Sequence, residues 1–268
     1  MTAAWDGAWH TRSPIYQPLL EAAHSLGGSR NGWPGLDDYN RLQQSSSDPI
    51  VTHSGKPVRC VPQAGEQYEQ RAYLTGEVQT RSNNWHDLFN TLVWRIFPRT
   101  KAAINLQHYR TSREQPQTAS GRGTVRDILT LFDESGVVVA CAQDELGDML
   151  KKRLWKNLFW QQRSDVSRDM RFFVFGHSLY EKALTPYIGL TGKALILPVA
   201  PGFLAQPLAS QLAVLDATMA EYFLNPDALR ATASLTPLPL LGVPGWWPDN
   251  ENLAFYENIR HFRPAPAQ

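Results

Sequence analysis

The chain has 268 residues, enough for one large domain or two small ones, and 43% apolar with 19% charged residues describes a globular protein rather than a disordered one. A net charge of +1 supplies no general pull toward nucleic acid or membrane, and no apolar stretch reaches the roughly 18–20 residues that span a bilayer. The two cysteines, Cys60 and Cys141, form no C-x-x-C pair and read as buried thiols, and "MTAAWDGAWHTRSPIYQPLL" has no basic start before an apolar core, so a cytoplasmic protein is expected.

In chain order, "SPIYQPLLEAAHSLG" has a Ser cap, helical spacing and a Gly stop, and "GLDDYNRLQQ" reads as a second short helix. Residues 1–49 are therefore expected to be a helical extension packed on a main domain of residues 50–268. "KPVRCVPQ" and "QRAYLTGEVQT" read as extended pieces, the second turning at Gly76. "SNNWHDLFNTLVWRIFP" is the clearest helix, with Asn83 or Asn84 as cap and an apolar stripe of Trp85, Leu88, Phe89, Leu92, Val93 and Ile96. Pro98 stops it and starts the next helix, "PRTKAAINLQHYR". "REQPQTASGRG" reads as a polar loop.

"ILTLFDESGVVVAC" reads as a hairpin turning at "DESG", with a helix as the alternative for its first arm. "QDELGDMLKKRLWKNLFWQQR" is helical, "RFFVF" a buried strand, "HSLYEKALTPY" a helix, "KALILPV" a strand and "LASQLAVLDATMAEYF" a long helix. The Pro- and aromatic-rich tail from Thr236 is expected to wrap the surface, with Trp246 or Trp247 sunk into the core. The predicted fold class is α+β: an α-rich single domain with a small mixed or antiparallel sheet.

Four constellations bear on chemistry. "GHSLY" partly matches a G-x-S-x-G nucleophile elbow, and Ser178, Asp249 and His261 could supply a triad in chain order. Tyr180 stands where the last small residue should be, so Ser178 is expected to cap a helix instead. His177 and Glu181 form an i, i+4 pair, and His86 and Asn90 repeat that spacing with Asp87 adjacent. Imidazole and carboxylate on two facing helices can hold a divalent metal or form an acid–base pair. That reading requires the imidazoles of His86 and His177 to meet.

Positive charge runs from Arg95 to Arg126, and Arg99, Lys101 and Arg122 could hold a phosphate or carboxylate at the helix start "PRTK". Asp133 and Glu134 read as turn residues, and Asp127 as a partner for a nearby cation.

"NWHDLFNTLVWRIFPRTKAAIN", "RDILTLFDESG", "RFFVFGHSLYEKALTPYIGLTGKALILPV" and "PLLGVPGWWPDNENLAFYENIRHFRP" together resemble the bacterial family known as domain of unknown function 3025, over roughly residues 50–264. The resemblance implies a cytosolic bacterial protein and carries no catalytic residue over. From the residues themselves, the expected function is hydrolysis of a small anionic, phosphate-ester-like substrate. His86, Asp87, His177 and Glu181 would do the chemistry, with or without a divalent metal, while Arg99, Lys101 and Arg122 grip the anion. The alternative is a non-catalytic nucleic-acid-binding or protein-interaction module built on the basic run and the aromatic tail.

Overall fold

Helix starts and stops follow their local chemistry. In the computed structural model, which describes residues 4–27, 31–44, 49–65, 67–113, 120–225, 227–228 and 235–265, Ser13 accepts a hydrogen bond from the Ile15 N–H at the head of a 3-10 turn, Pro14–Leu19. That turn runs into α1 (Leu20–Ser25), and α2 (Leu36–Gln44) follows. Next come β1 (Arg59–Pro62), α3 (Tyr68–Thr75) and β2 (Glu77–Thr80), with β1 and β2 paired in parallel. "QRAYLTG" is thus helical, not extended. Gly76 ends α3 in the left-handed region at φ 75°, and a Cβ there would collide with the Pro57 backbone.

Asn84 caps α4 (Trp85–Ile96), and α5 (Pro98–Arg113) begins at Pro98. The expected hairpin does not form. Its first arm belongs to α6 (Ser120–Ser135), and β3 (Gly136–Cys141) starts without an intervening turn. Ile128, Leu129 and Phe132 lie on one helical face and are buried; this spacing of 3.6, not alternation, decides the arm. Residues 120–123 of the expected polar loop are likewise helical, and residues 114–119 lie outside the described residues.

The segment after β3 holds α7 (Asp144–Lys151), a break at Arg153 with φ 55°, a π-helical turn at Asn157–Gln161 and α8 (Arg163–Asp169). Then come β4 (Met170–Val174), α9 (His177–Lys182), β5 (Thr191–Pro198), α10 (Leu208–Leu224) and β6 (Thr236–Pro239).

The main sheet is mixed, in the order β4-β3-β5-β6. β3 pairs antiparallel with β4 and parallel with β5, and β5 pairs antiparallel with β6. Every residue of β3 is buried, which suits "GVVVAC" to the centre. β6 carries Pro237 and Pro239, which cannot donate to a ladder and fit only an edge. This is the α+β architecture read from the sequence.

One apolar cluster runs from Trp9, Tyr16 and Leu19 through α4, α6 and the sheet to Tyr256 and Phe262. The tail is held differently from the expectation. Trp246 and Trp247 are only half-buried, whereas Asn250, Tyr256 and Phe262 are sunk. The Asn250 amide donates to Leu241 O (2.9 Å) and Val243 O (2.7 Å), and Arg163 donates to the Asn250 side-chain oxygen (3.1 Å). The Trp pair lies on irregular backbone at the rim, so the amide and the two rings behind it do the fastening.

Candidate functional site

Three helix ends converge beside the sheet: the starts of α4 and α9 and the finish of α6. The Asn84 side chain accepts from the Asp87 N–H (3.0 Å), fixing the first turn of α4 and with it His86. Gly176, ahead of α9, lies flat on the backbone of Glu134, Ser135 and Gly136. A Cβ there would overlap that backbone. This close approach brings His177 and Ser178 against Asp133 and Glu134.

The two imidazoles meet edge to face, with Nε2 of His86 3.0 Å from Nε2 of His177. Glu134 Oε1 lies 3.5 Å from His177 Nε2 and 3.9 Å from His86 Nε2. The far side of each ring also faces a carboxylate. Glu181 Oε2 is 3.3 Å from His86 Nδ1, and Asp133 Oδ2 is 3.7 Å from His177 Nδ1. Ser178 donates its hydroxyl to Glu134 Oε2 and also lies 3.3 Å from His86 Nδ1. It is no helix cap: Gly176 takes the cap position of α9, with no side-chain hydrogen bond. The triad order in the sequence does not assemble either. His261 accepts from the Gly189 N–H (2.9 Å), and Asp249 accepts from the Trp247 indole (3.1 Å).

Charge organises this cluster. Lys101, 4% exposed, donates to Asp133 Oδ1 at 2.6 Å. Burial disfavours ionised Asp133, yet the Lys101 and His177 charges hold its carboxyl below the usual range. Burial likewise opposes ionised Glu134. The His177 hydrogen bond and charge, the Ser178 hydroxyl and the His86 charge together outweigh it and bring Glu134 to about 2. The hydrogen bond to Glu181 raises His86 above its ordinary value, against the effect of burial.

The cluster opens into a polar cleft of about 350 Å³ lined by Tyr68, Glu69, Arg81, Asn90 and the amides of Gln63, Gln67 and Gln79. Tyr68, pushed up by burial and then by Glu69, stays protonated and accepts from the Asn90 amide (2.8 Å). Asp87 is present but engaged: it accepts from Arg81 N (2.6 Å), Nε (2.9 Å) and Nη2 (2.8 Å). Its carboxylate therefore anchors the β2–α4 connection.

Of the anion-gripping residues, Arg99 and Lys101 face different surroundings. At the start of α5, Asp216 accepts from the N–H groups of Arg99 (3.0 Å) and Thr100 (2.9 Å) and from the Thr100 hydroxyl (2.7 Å). An internal carboxylate from α10 thus fills the positive helix end. Arg99 lines a separate, larger groove of about 760 Å³ beside α10, and Lys101 lies beneath Asp133. Arg122 is in the first turn of α6, with its side chain outside the described residues.

Of the sequence candidates, His86, His177 and Glu181 come together. Sequence reading missed Arg81, and it gave Asp133 and Glu134 the role of turn residues and Ser178 that of a helix cap. Reading "ILTLFDES" as helix would have put Asp133 and Glu134 at a helix end instead of a turn, and that was the available signal.

The model of a family described as protein of unknown function (DUF3025) matches residues 58–266, so the chain belongs to that family. The matched segment contains all the cleft-lining residues. No curated protein and no solved structure matches the chain. Among the described residues, no helix is long and apolar enough to cross a membrane.

Proposed function

We propose that this DUF3025 protein is a hydrolase that cleaves a small, polar, anionic ester in the cleft above His86, His177 and Glu134. The carrying observation is the convergence of two imidazole Nε2 atoms and one carboxylate oxygen at the floor of a polar cleft. A site with this geometry holds a water against an imidazole Nε2 that can act as general base. The water oxygen attacks the ester centre as its proton passes to His86 Nε2. The bond to the leaving oxygen breaks, and that oxygen takes a proton from water at the cleft mouth. Arg81, half-exposed on the cleft wall, and the Tyr68 hydroxyl are placed to hold the substrate's anionic oxygens. Glu181 holds the His86 ring by its Nδ1 side and is a positioning residue.

The test is hydrolysis of p-nitrophenyl phosphate, bis-p-nitrophenyl phosphate and p-nitrophenyl acetate in buffers containing Mg²⁺, Mn²⁺ or Zn²⁺. Turnover of at least one ester is expected, reduced by about 100-fold or more in His86→Ala, a loss on the scale of removing a group that activates the nucleophile. The exposed control Arg171→Ala should keep wild-type rates. No turnover of any of the three, or His86→Ala as active as wild type, contradicts the proposal.

A further inference from the structure

We infer that His86 Nε2, His177 Nε2 and a Glu134 carboxylate oxygen form a binding site for one divalent first-row transition-metal ion, with Glu181 and the Asp133–Lys101 pair as its outer support. The inference concerns the same cleft but does not depend on hydrolysis.

The geometry carries it. These three ligand atoms all lie within 4.8 Å of one another. With metal–nitrogen bonds of about 2.0–2.1 Å, two imidazole nitrogens on one ion stand about 2.9 Å apart at a right angle and about 3.4 Å apart at the tetrahedral angle. The observed Nε2–Nε2 separation is 3.0 Å, inside that range. His177 Nε2 to Glu134 Oε1 is 3.5 Å, close to the tetrahedral value. The longer His86–Glu134 distance of 3.9 Å closes with a carboxylate shift of about half an ångström.

The tautomers point the same way. A neutral imidazole has one N–H and one lone pair. Glu181 stands 3.3 Å from His86 Nδ1, so the favourable tautomer of that ring carries its proton on Nδ1, while Asp133 lies 3.7 Å from a His177 Nδ1 that makes no hydrogen bond. The His86 Nε2 lone pair then faces His177 Nε2 with a Glu134 oxygen beside it, and an ion takes the place of the proton these atoms otherwise share. With that proton gone, lone pairs 3.0–3.9 Å apart repel one another unless a positive centre lies among them. A carboxylate behind each ligating histidine is the arrangement by which proteins fix ring orientation and raise ligand basicity. Here Lys101 in turn holds Asp133, and Ser178 turns Glu134 so that Oε1 faces the rings.

The charge balance of the cleft agrees. Asp87 is matched by Arg81 and Asp133 by Lys101, while Glu134 is partnered by the two imidazoles and Glu181 by His86, with the already paired Arg81 charge nearby. An anionic ester entering this cleft meets surplus negative charge, which a divalent ion neutralises. Two imidazoles and one carboxylate suit Zn²⁺, Fe²⁺, Co²⁺ or Mn²⁺ better than Ca²⁺ or Mg²⁺, which take oxygen ligands. Three protein ligands leave a position for water, and a bound ion activates that water without an imidazole base.

Cobalt(II) is the probe. The full chain, stripped with chelator and dialysed, is titrated with Co²⁺, read by its visible d–d absorption and checked by Zn²⁺ displacement. Wild type should bind one equivalent. His86→Ala and the near-isosteric Glu134→Gln should each bind at least about 100-fold more weakly, and Glu181→Gln about 10- to 100-fold more weakly. Lys151→Ala, exposed on α7, should match wild type. Circular dichroism establishes that each variant is folded, and Glu134→Gln decides the matter if His86→Ala is not. Wild type that gives no Co²⁺ spectrum means that the rings share only a proton, and overturns the inference. So does undiminished binding in folded Glu134→Gln. Binding of Co²⁺ with no ester turned over removes the hydrolase reading and leaves the metal site standing.

Discussion

His86 stands among carboxylates and His261 among aromatic rings, and the two surroundings drive the same side chain in opposite directions. The Glu181 hydrogen bond raises His86. Burial lowers His261 to about 4, with Phe255 and Phe262 packed against its ring at centroid distances of 5.7 Å and 4.8 Å. Both sit at ordered backbone positions, and neither is distinguished by its immediate sequence. The difference comes from partners far along the chain: α6 and α9 supply carboxylates to the first, and the tail supplies rings to the second. A buried polar group held by charges belongs to a site, whereas one held by apolar walls and a single backbone N–H fastens a segment.

If charge holds the cleft together, removing its buried counter-ion should have the largest effect. Lys101→Met leaves Asp133 ionised and without its ammonium partner. It should destabilise the protein by about 3–5 kcal/mol, measured by urea denaturation at neutral pH. The double variant Lys101→Met, Asp133→Leu should recover much of that loss, because it removes the uncompensated charge. A Lys101→Met protein as stable as wild type would mean that the pair is solvated and does not organise the cleft.

The tail should instead reveal itself in acid. Folded His261 takes up its proton near pH 4, whereas the unfolded side chain does so near 6.5. Below 6.5 the unfolded state therefore binds a proton that the folded state refuses, and stability falls as pH drops through 6.5 toward about 4. The full loss from this group is about 3 kcal/mol, given about 1.4 kcal/mol per unit. Comparing urea midpoints at pH 7 and pH 4.5, His261→Gln should show a smaller drop than wild type. An identical drop in both proteins removes His261 as the tail's acid-sensitive group.

The smallest effect expected concerns backbone approach. Gly176→Ala places a methyl group against the Glu134–Gly136 backbone, at a cost of about 1–3 kcal/mol as that backbone moves away. Because Glu134 moves with it, Gly176→Ala should also weaken Co²⁺ binding, whereas a tail variant such as Phe262→Ala should lower stability and leave that binding intact. Equal binding in wild type and Gly176→Ala would break the link between this contact and the cluster.

How much of this was legible follows from the range of each signal. The α4 helix, with its Asn cap, apolar stripe and Pro stop, was readable because every cue lies within its own residues. The strand in "GVVVAC" was readable from its β-branched run, but it was taken for a hairpin arm, and its place at the centre of the sheet follows only from its pairing with β4 and β5. The pairing of His86 with His177 could be posed as a question from two i, i+4 spacings, but only the tertiary fold brings α4 and α9 together. Glu134 was hidden by a local cue, the turn-like "DESG", which the helical burial of Ile128, Leu129 and Phe132 overrides. The helix start "PRTK" was read without its long-range partner: Asp216, 116 residues from Thr100, accepts the N–H groups there.

The most direct test of the central claim, that His86, His177 and Glu134 form one reactive centre, is anomalous diffraction from crystals grown with Co²⁺ or Zn²⁺. The account predicts a single peak about 2.0–2.2 Å from both Nε2 atoms and from a Glu134 oxygen, with Glu181 and Asp133 retained behind the two rings. A map with no peak at that point, or with the two imidazoles turned to face separate surroundings, would contradict it.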